Sequence, residues 1–169
     1  MKEEQKEKQK EDEILKILEE NARTSDNEIA RMVGLDKEEV ESIISELEKR
    51  GIIMKYKALI NYEKAGIETV QALIDVKLSP ERGTGYGSVA ERISRFSEVR
   101  SVRLVSGEHD LLVRVEGATM REVAHFVAEK IAPLEQVRNT VTHFLLRTYK
   151  ANGEIYKEEE KGKRLAVTL

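Results

Sequence analysis

The sequence contains no cysteine and no tryptophan, and no apolar run approaches the ~20 residues that a membrane-spanning helix needs. Without cysteine, the chain cannot form a disulfide framework, a thiolate zinc site or a cysteine nucleophile. Its N-terminus is charged rather than signal-like, so we expect a cytoplasmic protein without a membrane partner. The charged fraction of 36% and the hydrophobic fraction of 40% are typical of a soluble globular chain.

The net charge of −3 gives no global signal for nucleic acid. Residues 12–60 carry eight Lys/Arg against twelve Asp/Glu, whereas residues 61–169 carry seventeen against sixteen. Residues 1–11 carry four of each sign and show no periodicity, so we expect them to form an irregular lead-in. The N-terminal third is therefore the most acidic part of a chain long enough for one domain or two small ones.

Residues 12–60 carry the pattern of three short helices followed by a strand. Apolar residues at helical spacing predict a first helix over 12–21. The segments "TSDNEIARMVG" and "LDKEEVESIISELEKRG" predict a second and a third helix, each opened by a capping box and closed by a glycine. The branched residues of "IIMKYKALI" predict a strand. This order is typical of a winged helix-turn-helix, and the alternative is a small helical bundle with an adjoining strand.

The remaining residues, 61–169, follow the order strand, helix, hairpin, helix, strand. We expect strands over 68–78 and 136–150, a hairpin turn at 106–110, and helices in "SVAERISRF" and "TMREVAHFVAEKIAPL". This is the βαββαβ order of a ferredoxin-like sandwich. The tail 151–169 is charged until "RLAVTL", which predicts an edge strand. The first strand has apolar side chains on both faces, so we expect a second copy of the sheet to cover the face without helices.

The predicted fold class is therefore α+β. A winged helix-turn-helix DNA-binding domain with a charged lead-in, 1–60, precedes a ferredoxin-like effector-binding and oligomerisation domain with a C-terminal tail, 61–169.

Two stretches, "LDKEEVESIISELEKRGIIMKYKALIN" and "VRLVSGEHDLLVRVEG", resemble the Lrp/AsnC (feast/famine) transcriptional regulators, and the similarity spans about residues 12–150. The resemblance implies that the N-terminal domain binds double-stranded DNA as a dimer, with the third helix in the major groove. It also implies that the C-terminal domain dimerises through its sheets and assembles further, often into octamers. A small effector, usually an amino acid, would bind between dimers near the hairpin turn.

The hairpin turn has a physical reason to hold such an effector. Gly107 lets the backbone approach a ligand, the turn offers N–H groups to a carboxylate, and Asp110 offers an acceptor to an α-ammonium. The resemblance places the positions matching Gly107 and Asp110 in the effector loop. The alternative is that the segment is simply good turn chemistry. The candidate effector-binding residues are Ser106, Gly107, Glu108, His109, Asp110, Thr140 and Thr142.

The third helix is unusually acidic for one that reads DNA, because the resemblance leads us to expect Arg or Lys where this chain has Ser42, Ser45 and Glu46. Serines can read bases while scattered basic residues position the backbone, and several linked copies raise avidity. The alternatives are that DNA binding is reduced or lost, and that the lysines form an ordinary solvated face. The candidate DNA-binding residues are Thr24, Ser25, Asn27, Lys37, Glu38, Ser42, Ser45, Lys49, Arg50, Lys55 and Lys57.

Other classes of function find little support in the sequence. The three histidines have no metal-like spacing, and the glycines of "RGTGYGSVAER" lack the dinucleotide fingerprint, so we expect no metal and no cofactor. Sirohaem decarboxylases share the two-domain plan, but the segment "ALINYEKAG" lacks the His and Arg that such an enzyme would want. We expect a regulator rather than an enzyme. The other alternative is an effector-sensing oligomer with little or no DNA binding.

Overall fold

The computed structural model describes residues 2–79 and 86–156. The chain divides into two compact units, Met1–Leu59 and Ile60–Leu169. The glycine-rich part of the first long loop, 80–85, and the predicted edge strand "RLAVTL" lie outside the described residues.

The first unit consists of three helices, α1 (Lys2–Glu20), α2 (Asp26–Val33) and α3 (Lys37–Lys49). One apolar side of each helix faces a common core, as the spacing of the branched residues requires. The fully or nearly fully buried members of this core are Ile14, Ile29, Ala30, Val33 and Val40.

The prediction of an irregular lead-in before the first helix is wrong, because α1 begins at Lys2. Side chains at helical spacing support the extension: Gln9 donates to Glu13 at 3.1 Å. The extension is also attached to the rest of the unit. Lys10 donates to the carbonyl oxygen of Val33 at the end of α2, where a cation favours the helix dipole.

The prediction of a strand after the third helix is also wrong, because residues 52–60 form no strand in the structure. The N–H groups of Ile52 and Ile53 instead donate to the carbonyl oxygen of Leu47, at 2.9 and 3.2 Å, and so close the end of α3. A strand is stable only when a second strand satisfies its backbone groups. Among the described residues no strand pairs with this segment.

The second unit is a four-stranded antiparallel sheet with helices on one face. The elements in chain order are β1 (Val70–Leu78), α4 (Gly87–Ser94), β2 (Val99–Leu104), β3 (Leu111–Gly117), α5 (Met120–Phe126), a five-residue π-helix (Val127–Ile131), β4 (Val137–Phe144), β5 (Lys150–Ala151) and β6 (Glu154–Ile155). The strand order of the sheet is β2-β3-β1-β4, which confirms the ferredoxin-like arrangement.

The two faces of this sheet differ in burial. Side chains of α4 and α5, including Ile93 and Phe126, share a buried cluster with Ile74, Val76 and other inward residues of the strands. The alternate residues of β1 are only partly buried. We call this second side, which the described helices do not cover, the open face. From the strand register it carries Leu73, Asp75, Lys77, Leu112, Arg114, Val141 and His143.

The last predicted strand is shorter than expected. It ends at Phe144 rather than near residue 150, and a small hairpin of β5 and β6 follows it. Asn152 and Gly153 both have positive φ, 48° and 86°, as a tight hairpin turn requires. The Asn-Gly pair is a strong sequence signal for such a turn, and it was missed. The hairpin leaves Leu146 and Tyr149 exposed between β4 and β5.

Candidate DNA-binding and effector sites

Local sequence signals fix how α2 meets α3. Gly34 follows α2 with φ 67°, and its N–H donates to Ala30, so α2 stops in the left-handed conformation that glycine adopts readily. At the start of α3, the Glu39 carboxylate accepts the N–H of Asp36 at 3.1 Å. The tight turn and the cap together set the direction in which α3 leaves the turn.

One stripe of α3 points away from the core of the unit. Val40 and Leu47 are fully buried, and the residues half a turn away on the helix are Glu38, Ser42, Ser45 and Lys49. Ser45 is half-buried and the other three are exposed. We call these four residues the outward ridge. Its centre is two uncharged hydroxyls, with one acid and one base at its ends.

The acidic residues that flank the outward ridge are largely engaged within the unit. Glu39 caps α3, Glu41 pairs with Lys37 at 2.8 Å, and Glu48 accepts the hydroxyl of Tyr56 at 2.9 Å. Burial, followed by this bond to Glu48, raises the pKa of Tyr56 above its usual value. The engaged acids keep their negative charge, so they still repel DNA. The centre of the outward ridge, Ser42 and Ser45, carries no charge.

Two of the predicted phosphate-binding cations are paired with acids. The bond to Glu41 raises the pKa of Lys37, and Arg50 Nη1 lies 2.7 Å from Glu11 Oε1 on α1. The Arg50–Glu11 pair was not foreseen, because residues 1–11 were expected to be irregular. The remaining predicted cations make no ion pair with the described part of the chain, and they are Lys49, Lys55 and Lys57.

The polar residues before α2 also have partners of their own. Thr24 donates its hydroxyl to the carbonyl of Asn21 at 2.9 Å, and Ser25 donates its hydroxyl to Glu28 at 2.8 Å. Accepting hydrogen bonds from the backbone and hydroxyl of Ser25 lowers the pKa of Glu28, which favours its negatively charged form at this helix start. Phosphate contacts by Thr24 and Ser25 would have to displace these bonds. Asn27 is exposed.

The N-terminal half of α1 borders the outward ridge. Lys6, Glu7 and Lys10 of α1 line an open cleft of about 460 Å³ together with Leu35 and three residues of α3, which are Glu39, Ser42 and Ile43. The same side of α1 is apolar at Ile14 and packs into the core. Two lysines and two glutamates therefore line the cleft beside Ser42, and Lys10 is itself paired with Glu13 at 3.2 Å, so the cleft adds no net positive charge to the ridge.

In the second unit, the hairpin turn of residues 106–110 lies between β2 and β3. The N–H of Val105 donates to the carbonyl of Asp110 at 2.9 Å, and the N–H of Asp110 donates to the carbonyl of Val76 at 3.0 Å. Gly107 has φ 126°, which an L side chain rarely adopts. The positions of Ser106, Gly107 and Glu108 are exposed.

The carboxylate of Asp110 points back into the chain. It accepts the N–H of Leu78 at 2.8 Å and faces Lys77 Nζ at 3.4 Å from each of its oxygens. The bond from Leu78, and after it the ammonium of Lys77, hold the pKa of Asp110 below its usual value. Asp110 therefore has a structural role that its place in the sequence did not reveal.

His109 turns to the open face. Its Nδ1 lies 3.7 Å from the Asp75 carboxylate, which is also 3.0 Å from His143 Nε2 on β4. Asp75 thus lies between an imidazole from the turn and one from the edge strand. The predicted site lacked three residues of the sheet, which are Asp75, Lys77 and His143. They come close to the turn only through the pairing of β1 with β3 and β4.

The inclusion of Thr140 and Thr142 in the effector site stays a prediction, and within one protomer they lie apart from the turn. They pair with Val76 and Ile74, so they lie on the helix-covered face, whereas His109 and Lys77 lie on the open face. Thr140 on β4 is also separated from Leu111 on β3 by the intervening strand β1, a distance of about 10 Å at the usual strand spacing.

Within residues 2–79 and 86–156, no group of three or more His, Asp or Glu side chains could hold a metal ion. No helix in the same residues is long and apolar enough to cross a membrane.

Comparison with known proteins agrees with this two-unit architecture. Residues 11–54 match the family described as winged helix-turn-helix DNA-binding, and residues 71–155 match the Lrp/AsnC ligand binding domain. The uncharacterized HTH-type transcriptional regulator YugG of Bacillus subtilis is 47% identical over 161 residues, which cover 95% of this chain and 97% of that protein.

Solved structures show the same fold. The transcriptional regulator NMB0573 of Neisseria meningitidis, solved in complex with L-Met, is 25% identical with a TM-score of 0.66 and covers 84% of this chain and 91% of its own. AsnC of Escherichia coli is 21% identical with a TM-score of 0.66, covering 85% and 94%.

The fold and these matches define a helix-turn-helix transcriptional regulator with an Lrp/AsnC ligand-binding domain. The chain belongs to the Lrp/AsnC family.

Proposed function

We propose that this regulator reads double-stranded DNA through the outward ridge of α3 and responds to an amino acid bound at the hairpin turn. The observation that carries the DNA proposal is the position of Ser42 and Ser45, on the side of α3 opposite its buried residues. Hydroxyls can donate to or accept from base edges, so an uncharged ridge can discriminate sequence.

The affinity of one such unit for DNA is low on this proposal. The acids around the ridge repel phosphates, and Lys37 and Arg50 must leave their acidic partners before they can contact DNA. Lys49, Lys55 and Lys57 remain to position the backbone, together with Asn27 at α2. Several linked copies would raise the overall affinity by ~10²–10⁴.

Substitution of the ridge serines tests this proposal. The double variant Ser42→Glu, Ser45→Glu should abolish binding to the protein's own upstream DNA in fluorescence anisotropy, while its oligomeric state stays that of the wild type. Ser88→Glu, the same change on α4 of the other unit, is the matched control for added charge. Unchanged DNA binding by the double variant would show that α3 is not the reader.

We also propose that two copies pair through their open faces and that dimers assemble further, as far as octamers. Leu73, Leu112 and Val141 give this face its apolar part, and a second sheet is the simplest way to remove them from water. The amino-acid effector is proposed for the turn because Gly107 exposes backbone there and Asp110 supplies a fixed carboxylate.

An effector-sensing oligomer with little DNA binding is the second candidate. The observation that favours it is the charge of residues 12–60, which carry four more acids than bases. A salt series separates the two candidates: preference for the protein's own promoter over a scrambled duplex, with a shallow salt dependence, supports a base-reading regulator. Absence of binding at low salt supports the second candidate.

A further inference from the structure

The ion pair between Lys77 and Asp110 joins one firmly held group to one loosely held group. The Asp110 carboxylate is 15% exposed and is anchored by the N–H of Leu78 at 2.8 Å. Lys77 is 39% exposed, and its Nζ is 3.4 Å from both carboxylate oxygens. A charge-assisted N–H···O bond is normally about 2.7–2.9 Å long, so this ammonium is held weakly.

We propose that Lys77 is a built-in competitor of the effector, and that the α-ammonium of an amino acid takes its place on Asp110. This inference rests on the proposed effector function of the turn and adds a residue to it. When the effector binds, the Lys77 ammonium moves away from Asp110 on its flexible stem. The bond from Leu78 stays in place, so the carboxylate keeps its position throughout the exchange.

The surroundings of the ion pair match an α-amino acid better than a simple cation. Within the described residues, the backbone N–H groups of Gly107 and Glu108 have no hydrogen-bond partner. They are available to an α-carboxylate, as backbone donors in turns often are. A ligand that carries an ammonium and a carboxylate on one carbon can use both groups, whereas the Lys77 ammonium uses only Asp110.

Competition by Lys77 also gives the site selectivity. An amino acid replaces one ammonium by another and keeps Asp110 neutralised. The corresponding carboxylic acid without an amino group offers nothing to Asp110, and it leaves the Lys77 pair intact. Removing the Lys77 charge should therefore strengthen the binding of ligands with an ammonium and leave the binding of ligands without one unchanged.

The test compares wild type with Lys77→Gln by isothermal titration calorimetry on the full chain. The probes are the twenty L-amino acids and, for those that bind, the matching carboxylic acid without the amino group. We expect Lys77→Gln to bind amino acids about two- to fivefold more tightly, the range of a weak half-exposed ion pair. Lys64→Gln, an exposed lysine of the same unit, should bind as wild type does, and Lys77→Arg should not bind more tightly.

Each outcome decides between the two proposals. Tighter binding by Lys77→Gln of amino acids alone supports the competitor, including the case in which only the variant binds. Equal or weaker binding by the variant, or equal gains for the deaminated acids, overturns the competitor and leaves the effector site standing. If neither protein binds any of the twenty amino acids, both the competitor and the proposed effector function fail. Thermal unfolding verifies that the variant is folded.

Discussion

The carboxylate of Asp110 accepts the backbone N–H of Leu78 at 2.8 Å, and this bond fastens the hairpin turn to the end of the central strand β1. It is formed where the register between β1 and β4 shifts, at Lys77 and Leu78. The side chain of a turn residue thus satisfies a backbone donor beside an irregularity of the sheet.

Removing this carboxylate should destabilise the second unit. Asp110→Ala leaves the N–H of Leu78 without its acceptor, and we expect a loss of about 1.5–3 kcal/mol in the free energy of unfolding. Urea denaturation measures it. Glu108→Ala, an exposed position of the same turn, should change stability by less than about 0.5 kcal/mol. Equal effects of the two changes would mean that the Leu78 bond is not what stabilises the turn.

The same bond predicts a dependence of stability on pH. The pKa of Asp110 is lower in the folded chain than its ordinary value of about 3.9, so the folded state favours the charged form. This contribution is fully present above pH 5 and is lost as the pH falls through the folded pKa. Between pH 5 and pH 2, wild type should lose more stability than Asp110→Asn, measured by chemical denaturation at each pH. Parallel curves for the two proteins would contradict this.

Gly34, in the turn between α2 and α3, should be sensitive to substitution. Its φ of 67° is unfavourable for a side chain although an added Cβ would meet no atom within 4 Å, so the cost of Gly34→Ala is purely conformational. We expect a loss of about 1 kcal/mol in thermal unfolding. Gly87→Ala has equal space and no positive φ, so it should be neutral or slightly stabilising. A neutral Gly34→Ala would contradict the left-handed turn.

Glu11 should restrain DNA binding by holding Arg50. Glu11→Gln breaks the 2.7 Å ion pair and frees the guanidinium for phosphate, so the affinity for DNA at low salt should rise about twofold or more. Glu19→Gln changes the net charge equally on the same helix and controls for that effect. Fluorescence anisotropy measures both. The idea fails if the two variants gain the same affinity.

The open face should be where two copies meet. Leu112→Glu places a charge in the middle of its apolar part, and we expect the dimer to dissociate in size-exclusion chromatography with light scattering. Met120→Glu, an exposed apolar residue at the start of α5, is the control. A wild-type mass for Leu112→Glu would move the interface to another surface.

Some elements were predictable because their signals are local. The starts of α2 and α3 follow from Ser25 and Asp36 with their glutamates three residues later, and both capping interactions are present in the structure. The end of α2 follows from Gly34. The α+β class and the ferredoxin-like strand order were confirmed as well. They were predictable because helical and alternating patterns can be read in short stretches of sequence.

Two of the errors have a different cause, since each depended on a distant partner. The lead-in is helical, with Lys10 held by Val33 and Glu11 by Arg50, and no window of 1–11 contains those partners. The segment 52–60 has the composition of a strand but no strand to pair with among the described residues.

The sequence by itself determined the order of the three N-terminal helices, the βαββαβ order that follows them, the helix caps, the turn at 106–110 and the family. It could not determine which side chains meet, because faces and neighbours in a sheet depend on strand register. Only the tertiary structure placed Lys77 and Leu78 on Asp110, set Asp75 between two histidines, and turned Thr140 and Thr142 to the other face. The contacts of Asp110 and Asp75 join residues 32 to 68 positions apart in the chain, and only folding brings them within hydrogen-bond or ion-pair distance.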